Sequence, residues 1–110
     1  MTTEARKRLH DIRLAAEALC RFTAGKNVED LKRDEILQAA VERKLEIIGE
    51  AASKLSPEVK TGQPHIPWLD IVGMRNRLTH GYFDIDLDRV WDTVIVDLEP
   101  LCEALEKILC

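Results

Sequence analysis

Hydrophobic residues recur along this chain at spacings of three and four, the period of a helix that buries one face. This pattern predicts a first helix over residues 3–24, which begins near Thr3 as its N-cap and is ended by Gly25. A second long helix is predicted over residues 34–55, where the apolar positions keep the same spacing. Both helices are amphipathic, so each is expected to pack its apolar face into a bundle.

Shorter segments connect these helices. Asn27 is expected to cap a short turn over residues 28–31, which we interpret as a connector and not as part of the core. The pair Ser56-Pro57 places an N-cap before a proline at the first helical position. Because proline is well tolerated there, the pair predicts the start of a short helix.

The C-terminal half is predicted to hold two more helices. Pro67 opens the first of them at Trp68. The second keeps the apolar spacing over residues 87–108, and Pro100 is expected to kink it about one turn earlier. Four long or medium helices with short connectors predict an all-α bundle that spans residues 1–110 as a single domain.

Composition and charge narrow the class of protein. The chain is 45% hydrophobic and 33% charged, which fits a globular helical domain. No apolar run approaches the roughly 20 residues that span a bilayer, and the N-terminus lacks the apolar region of a signal peptide. We therefore expect a cytoplasmic protein with no membrane contact. The net charge of −4 argues against an extended, sequence-independent surface for nucleic acid, but it does not exclude a small basic site.

The cysteines and histidines do not predict a metal site. Cys20 and Cys102 occupy apolar helix positions and are interpreted as small core residues, and Cys110 as a terminal free thiol. They lie far apart and form no recognisable ligand set with the histidines. We therefore expect neither a metal nor a cofactor.

Two glycines inside the predicted helices indicate close contacts. A glycine in a helix interior costs about 1 kcal/mol relative to alanine. Gly49 and Gly73 are therefore each expected to mark a close approach of another backbone. Glu50, next to the first of them, is interpreted as a solvated helix glutamate.

The segment from Arg75 to Tyr82 concentrates the reactive side chains of this chain. Arg75 falls within the apolar stripe of its helix, where an unpaired guanidinium would be costly. Asn76 and His80 are four residues apart and lie on one flank of the helix. Because a residue that departs from the local pattern is a candidate for function, we predict the site here.

An arginine and a histidine without a nucleophilic serine or cysteine suit metal-free cleavage of a phosphodiester. His80 can take a proton from a ribose 2′-hydroxyl or give one to the leaving oxygen, and Arg75 can bind the charge on the phosphate. Asn76 can orient His80 or donate to the phosphate. One histidine per chain is few for both proton transfers, and a symmetric dimer would bring a second copy.

The same residues resemble a known family. Arg75, His80 and Tyr82 match the R-x4-H-x-Y signature of HEPN-fold ribonuclease toxins of the HepT type. The resemblance extends over nearly the whole chain. The further segments that are similar to the family are residues 40–51, which look like its second signature, and residues 67–68, 73–76 and 90–91.

This resemblance implies an all-α HEPN-like homodimer with a composite cleft that cuts RNA without a metal. Arg75 and His80 would be the catalytic pair, with Asn76 in support. The resemblance also implies that the chain is the toxin of a toxin–antitoxin system. Its partner would be a MntA-like minimal nucleotidyltransferase antitoxin that neutralises the toxin by adding AMP to Tyr82.

Two alternatives stay open on the sequence alone. The chain could be a non-catalytic helical dimer that binds a nucleotide or the nucleotidyltransferase partner, with Arg75 as a phosphate or carboxylate clamp. The acidic net charge and the single motif histidine favour that alternative. The roles could also be reversed, so that this chain assists the transferase and is not the toxin. The intact pair of Arg75 and His80 favours the nuclease.

Overall fold

A computed structural model describes residues 1–80 and 85–109, and every regular element within them is helical. None of these helices has the length and apolarity needed to cross a membrane. The all-α prediction is confirmed. In chain order the elements are α1 (Thr3–Thr23), α2 (Val28–Arg33), α3 (Glu35–Ser53), α4 (Pro57–Thr61), α5 (Trp68–His80), α6 (Leu87–Asp92), a π-helical segment (Thr93–Asp97) and α7 (Leu98–Leu109).

Capping side chains set the helix boundaries close to the predicted positions. The hydroxyl of Thr2 accepts a hydrogen bond from the first turn of α1, so the N-cap lies one residue before the predicted Thr3. Gly25 follows α1 with a φ of 70°, the left-handed conformation that ends a helix, as predicted. Asp34 caps α3 and Ser56 caps α4, again through side-chain oxygens that accept from backbone amides.

Helix α3 is central to the bundle. It packs against both α1 and α5, and α7 packs against α1. Complete burial of one large apolar side chain contributes about 1.5–3 kcal/mol, so the shared core holds these helices in fixed orientations. The largest fully buried side chains are Leu9, Ile12, Leu19, Leu31, Val41, Val90, Leu101 and Leu105.

Two predictions about the core are wrong. Leu31 is completely buried, so α2 contributes to the core and is more than a connector. Cys20 is exposed because it lies one position past the buried Leu19, outside the apolar face of α1. Cys102 is half-buried on α7, and burial, with a smaller contribution from Cys20, raises the pKa of the Cys102 thiol to about 12. Cys110 lies outside the described residues.

The C-terminal helix is irregular where Pro100 is predicted to disturb it. Residues Thr93–Asp97 form a π-helical turn between α6 and α7. Proline has no backbone N–H, and its ring clashes with the carbonyl four residues earlier, which here belongs to Val96. The regular α-helical hydrogen bonding is therefore interrupted one turn before the proline.

Candidate functional site

Helix α5 carries the predicted site, and buried contacts hold it at both ends. The indole Nε1 of Trp68 donates to the carbonyl oxygens of Lys60 and Gln63, both at 3.1 Å, and so fixes the first turn. Ile71 and Leu78 are buried in the core along the inner face of the helix. These contacts fix the rotation of α5 about its own axis, and this rotation determines which of its side chains are exposed.

The backbones of α3 and α5 approach closely at the buried Gly49, as predicted. A Cβ at this position would overlap the Cβ of Arg75 and lie 3.1 Å from the carbonyl oxygen of Ile71. The neighbour that requires glycine is therefore the candidate arginine itself. The same prediction for Gly73 is wrong within the described residues, because a Cβ there would meet only Arg77 Nη1, at an ordinary 3.6 Å.

Arg75 extends from the α3–α5 contact to a paired position near the surface. Its Nη2 lies 2.6 Å from Oε2 of Glu50, and its Nη1 donates to Oδ1 of Asn76 at 2.9 Å. The other carboxylate oxygen of Glu50, Oε1, lies 3.1 Å from Nζ of Lys54. The arginine that the sequence places in an apolar stripe packs its alkyl chain there and directs its charge outward.

Glu50 is not the merely solvated glutamate that the sequence predicts. A hydrogen bond from Lys54 and the charge of Arg75 hold the pKa of Glu50 below its usual value, so the carboxylate is ionised and paired at neutral pH. Half-exposed ion pairs add little to stability, so the main effect of the pair is to direct the guanidinium. The only sequence signals were the adjacent Gly49 and the spacing of Glu50 and Lys54 by one helical turn.

Asn76 is exposed and oriented by its neighbour Arg75. A guanidinium can only donate hydrogen bonds, so Asn76 presents its amide oxygen to Arg75 and keeps its amino group available for a ligand. Among the described residues the structure pairs Asn76 with Arg75 and shows no hydrogen bond from Asn76 to His80. Of the two roles that the sequence left open for Asn76, donation to a phosphate fits this geometry.

His80 is exposed in the last turn of α5. By helical spacing it shares the outer face of α5 with Asn76 and with Leu69, whose side chain is 90% exposed. The structure therefore places His80 and Asn76 on one surface, with Arg75 at its edge. Gly81 as helix terminator and Tyr82 as acceptor tyrosine are predictions that lie outside the described residues.

A groove of about 790 Å³ runs between α1 and α3, with Arg75 and Glu50 in its lining. Its described lining contains four acidic side chains beside five basic ones, so the groove is not a purely basic surface for phosphates. Among residues 1–80 and 85–109, no three His, Cys, Asp or Glu side chains are grouped to hold a metal ion. The other charged residues of the groove are Arg8, Asp11, Glu17, Arg21, Arg43, Lys44 and Glu46.

The fold and the site define an all-α protein with a positioned arginine and an exposed histidine on one helix. The chain belongs to the Ribonuclease HepT-like family, whose profile matches residues 12–108. A Thermococcus cleftensis protein named "Probable ribonuclease HepT" is 40% identical over 100 residues, which cover 91% of each chain. A Methanocaldococcus jannaschii protein whose name contains the term RNase is 34% identical over 101 residues, 92% of this chain and 87% of that protein. No solved structure gives a significant match.

Proposed function

We propose that this chain is a metal-independent endoribonuclease and the toxin of a toxin–antitoxin pair, with Arg75, Asn76 and His80 as catalytic residues. The observation that carries the proposal is the guanidinium of Arg75, which Glu50 and Asn76 orient beside the surface that bears His80. Membership of the Ribonuclease HepT-like family supports RNA as the substrate.

In the proposed reaction His80 removes the proton from a ribose 2′-hydroxyl, and the oxygen attacks the adjacent phosphorus. The bond to the 5′-oxygen of the next nucleotide breaks, and that oxygen takes a proton from a second acid. The products are a 2′,3′-cyclic phosphate and a 5′-hydroxyl. Arg75 donates to the non-bridging oxygens as their charge grows, and Asn76 adds a further donor.

We propose that the second acid is His80 of another copy of the chain in a homodimer. The exposed Leu69 supports this arrangement, because it continues the face of α5 that carries Asn76 and His80. An apolar side chain that is 90% exposed beside polar candidates for chemistry fits a surface covered by a partner chain. Light scattering that shows only monomer at micromolar concentration would contradict the composite site.

The direct test of the proposed activity is cleavage of a defined RNA by the purified chain in excess EDTA. Cleavage is expected to continue and to leave 2′,3′-cyclic phosphate and 5′-hydroxyl ends. Loss of cleavage in EDTA that Mg²⁺ restores would contradict metal independence. Binding of nucleotides without any cleavage would favour the alternative, a non-catalytic helical dimer that binds a nucleotide or the transferase.

We further propose that a MntA-like nucleotidyltransferase antitoxin adds AMP to Tyr82. The support is the place of Tyr82 two residues after His80 in the R-x4-H-x-Y pattern. AMP at that point would add a phosphate and a nucleoside near Arg75 and His80. The modification would then block RNA both by its bulk and by pairing its phosphate with the arginine.

The Tyr82→Phe variant is expected to fold normally and to gain no AMP when it is co-expressed with the transferase, because it lacks the acceptor oxygen. Intact-mass analysis of the purified chain measures the gain. The wild type should gain one or more AMP units. His80→Ala, which keeps the tyrosine, should be modified like the wild type and serves as the control. Modification of Tyr82→Phe at the same segment would refute the assignment.

The Glu50→Gln variant keeps the shape of the side chain and removes the charge that directs Arg75. We expect kcat to fall about tenfold with a smaller change in KM, because the ion pair with Arg75 is replaced by a weaker hydrogen bond to an uncharged acceptor. Thermal unfolding should change little, since half-exposed pairs contribute little to stability. Glu103→Gln, an exposed glutamate on α7, is the matched control. Equal kcat values for the two variants would show that Glu50 does not position Arg75 for cleavage.

A further inference from the structure

A smaller pocket beside α5 contains two arginines and does not include Arg75 in its lining. It has a volume of about 240 Å³ and lies between the end of α5 and the start of α6. Arg77 and Arg89 line it, and neither has a role in the chemistry proposed above. The remaining lining residues are Met74, Leu78, Ile85, Asp86 and Val90.

We propose that Arg77 and Arg89 bind a backbone phosphate of RNA next to the phosphate that is cleaved, a subsite that rests on the proposed ribonuclease function. Arg77 and His80 are three residues apart on α5, which places their Cβ atoms about 5–6 Å apart. Arg75 and Arg77 are two residues apart and lie on opposite sides of the helix. An RNA strand that crosses the outer face of α5 therefore meets Arg75, His80 and then the pocket.

The ion pairs among the described residues leave both guanidinium groups of this pocket to a ligand. Arg77 and Arg89 are exposed, and neither side chain forms an ion pair with another described residue. The acid in the pocket, Asp86, caps α6 instead. Its Oδ1 accepts from the backbone amides of Asp88 and Arg89 at 3.1 and 3.3 Å. Because the helix dipole and these amides compensate the carboxylate, the described lining of the pocket carries an excess of positive charge.

The size and lining of the pocket indicate a backbone phosphate and not a free nucleotide. Clefts that enclose a whole small-molecule ligand usually measure about 300–1,000 Å³, and this pocket is smaller. Its apolar floor, formed by Met74, Leu78 and Val90, suits a ribose next to the phosphate. The groove beside α1 is larger, but its described lining holds four acids beside five cations, against one acid and two cations in this pocket.

The test is equilibrium binding of a fluorescent 2′-O-methyl RNA oligonucleotide, which cannot be cleaved, to the full chain at several salt concentrations. Arg77→Gln and Arg89→Gln are each expected to raise Kd about five- to tenfold. In a plot of log Kd against log salt concentration, the slope for the double variant should be smaller than that of the wild type by about 0.7. This is the contribution of one phosphate contact on a single strand. Arg6→Gln removes the same charge from an exposed position on α1 and should change Kd less than about twofold.

Each outcome decides the subsite separately from the ribonuclease. Equal Kd values and salt slopes for the pocket variants and Arg6→Gln would overturn the subsite, and so would a wild type that does not bind the oligonucleotide. A wild type that binds through Arg77 and Arg89 but cleaves no RNA would keep the subsite as a site for RNA and remove the ribonuclease. A wild type that cleaves RNA while the pocket variants bind like the control would keep the ribonuclease and remove the subsite.

Discussion

Replacement of His80 by alanine is expected to lower the rate of RNA cleavage about 10²–10⁴-fold, the usual contribution of a general acid or base. The side chain is exposed in the last turn of α5, so its removal should leave the bundle folded. Single-turnover cleavage and thermal unfolding of the same preparation measure both effects. His65→Ala is the matched control, because His65 is also exposed but lies in the loop before α5.

Arg75→Ala tests the other half of the catalytic pair. The loss of donors to the phosphate should lower cleavage about 10²–10³-fold. Glu50 keeps Lys54 as a partner in this variant, so no carboxylate is left unpaired and the fold should persist. Arg75→Lys should not restore the rate, because an ammonium lacks the planar fork of the guanidinium. Wild-type cleavage by either Arg75→Ala or His80→Ala would show that the site lies elsewhere.

The helices of this bundle could be predicted from sequence because local features determine them. The apolar spacing and the caps at Asp34 and Ser56 act within a few residues along the chain, and α3 and α4 begin where these signals stand. The buried Leu31 was missed because α2 has only six residues. A helix of this length is too short to show the hydrophobic periodicity that would predict its buried face.

The contacts of the candidate site could be predicted only in part. Arg75, Asn76 and His80 stood out by type and spacing, but the partner of the arginine, Glu50, lies 25 residues earlier on another helix. The two helix glycines look alike in the sequence, yet only Gly49 faces a neighbouring helix within the described residues. The rotation of α3 and α5 about their axes determines both which residue pairs with Arg75 and which glycine faces a neighbouring helix. The packing of the whole core sets that rotation.

Gly49→Ala is expected to destabilise the chain even though alanine is the better helix former by about 1 kcal/mol. The new Cβ would overlap the Cβ of Arg75, so α3 and α5 must move apart. Such overpacking costs about 1–3 kcal/mol, and each kcal/mol lost lowers Tm by roughly 4–8 °C for a domain of this size. A displacement of the guanidinium by about 1 Å is enough to reduce cleavage about 10²-fold.

Gly73→Ala is the matched control for this variant, because it makes the same substitution in the interior of α5. Its Cβ would meet only Arg77 Nη1 at 3.6 Å, so it should gain about 0.5–1 kcal/mol from helix propensity. We expect the two variants to shift Tm in opposite directions and only Gly49→Ala to lose cleavage. This result would show that the α3–α5 contact determines the position of Arg75. A Tm for Gly49→Ala at or above that of the wild type, with full cleavage, would show that the helices do not need this close approach.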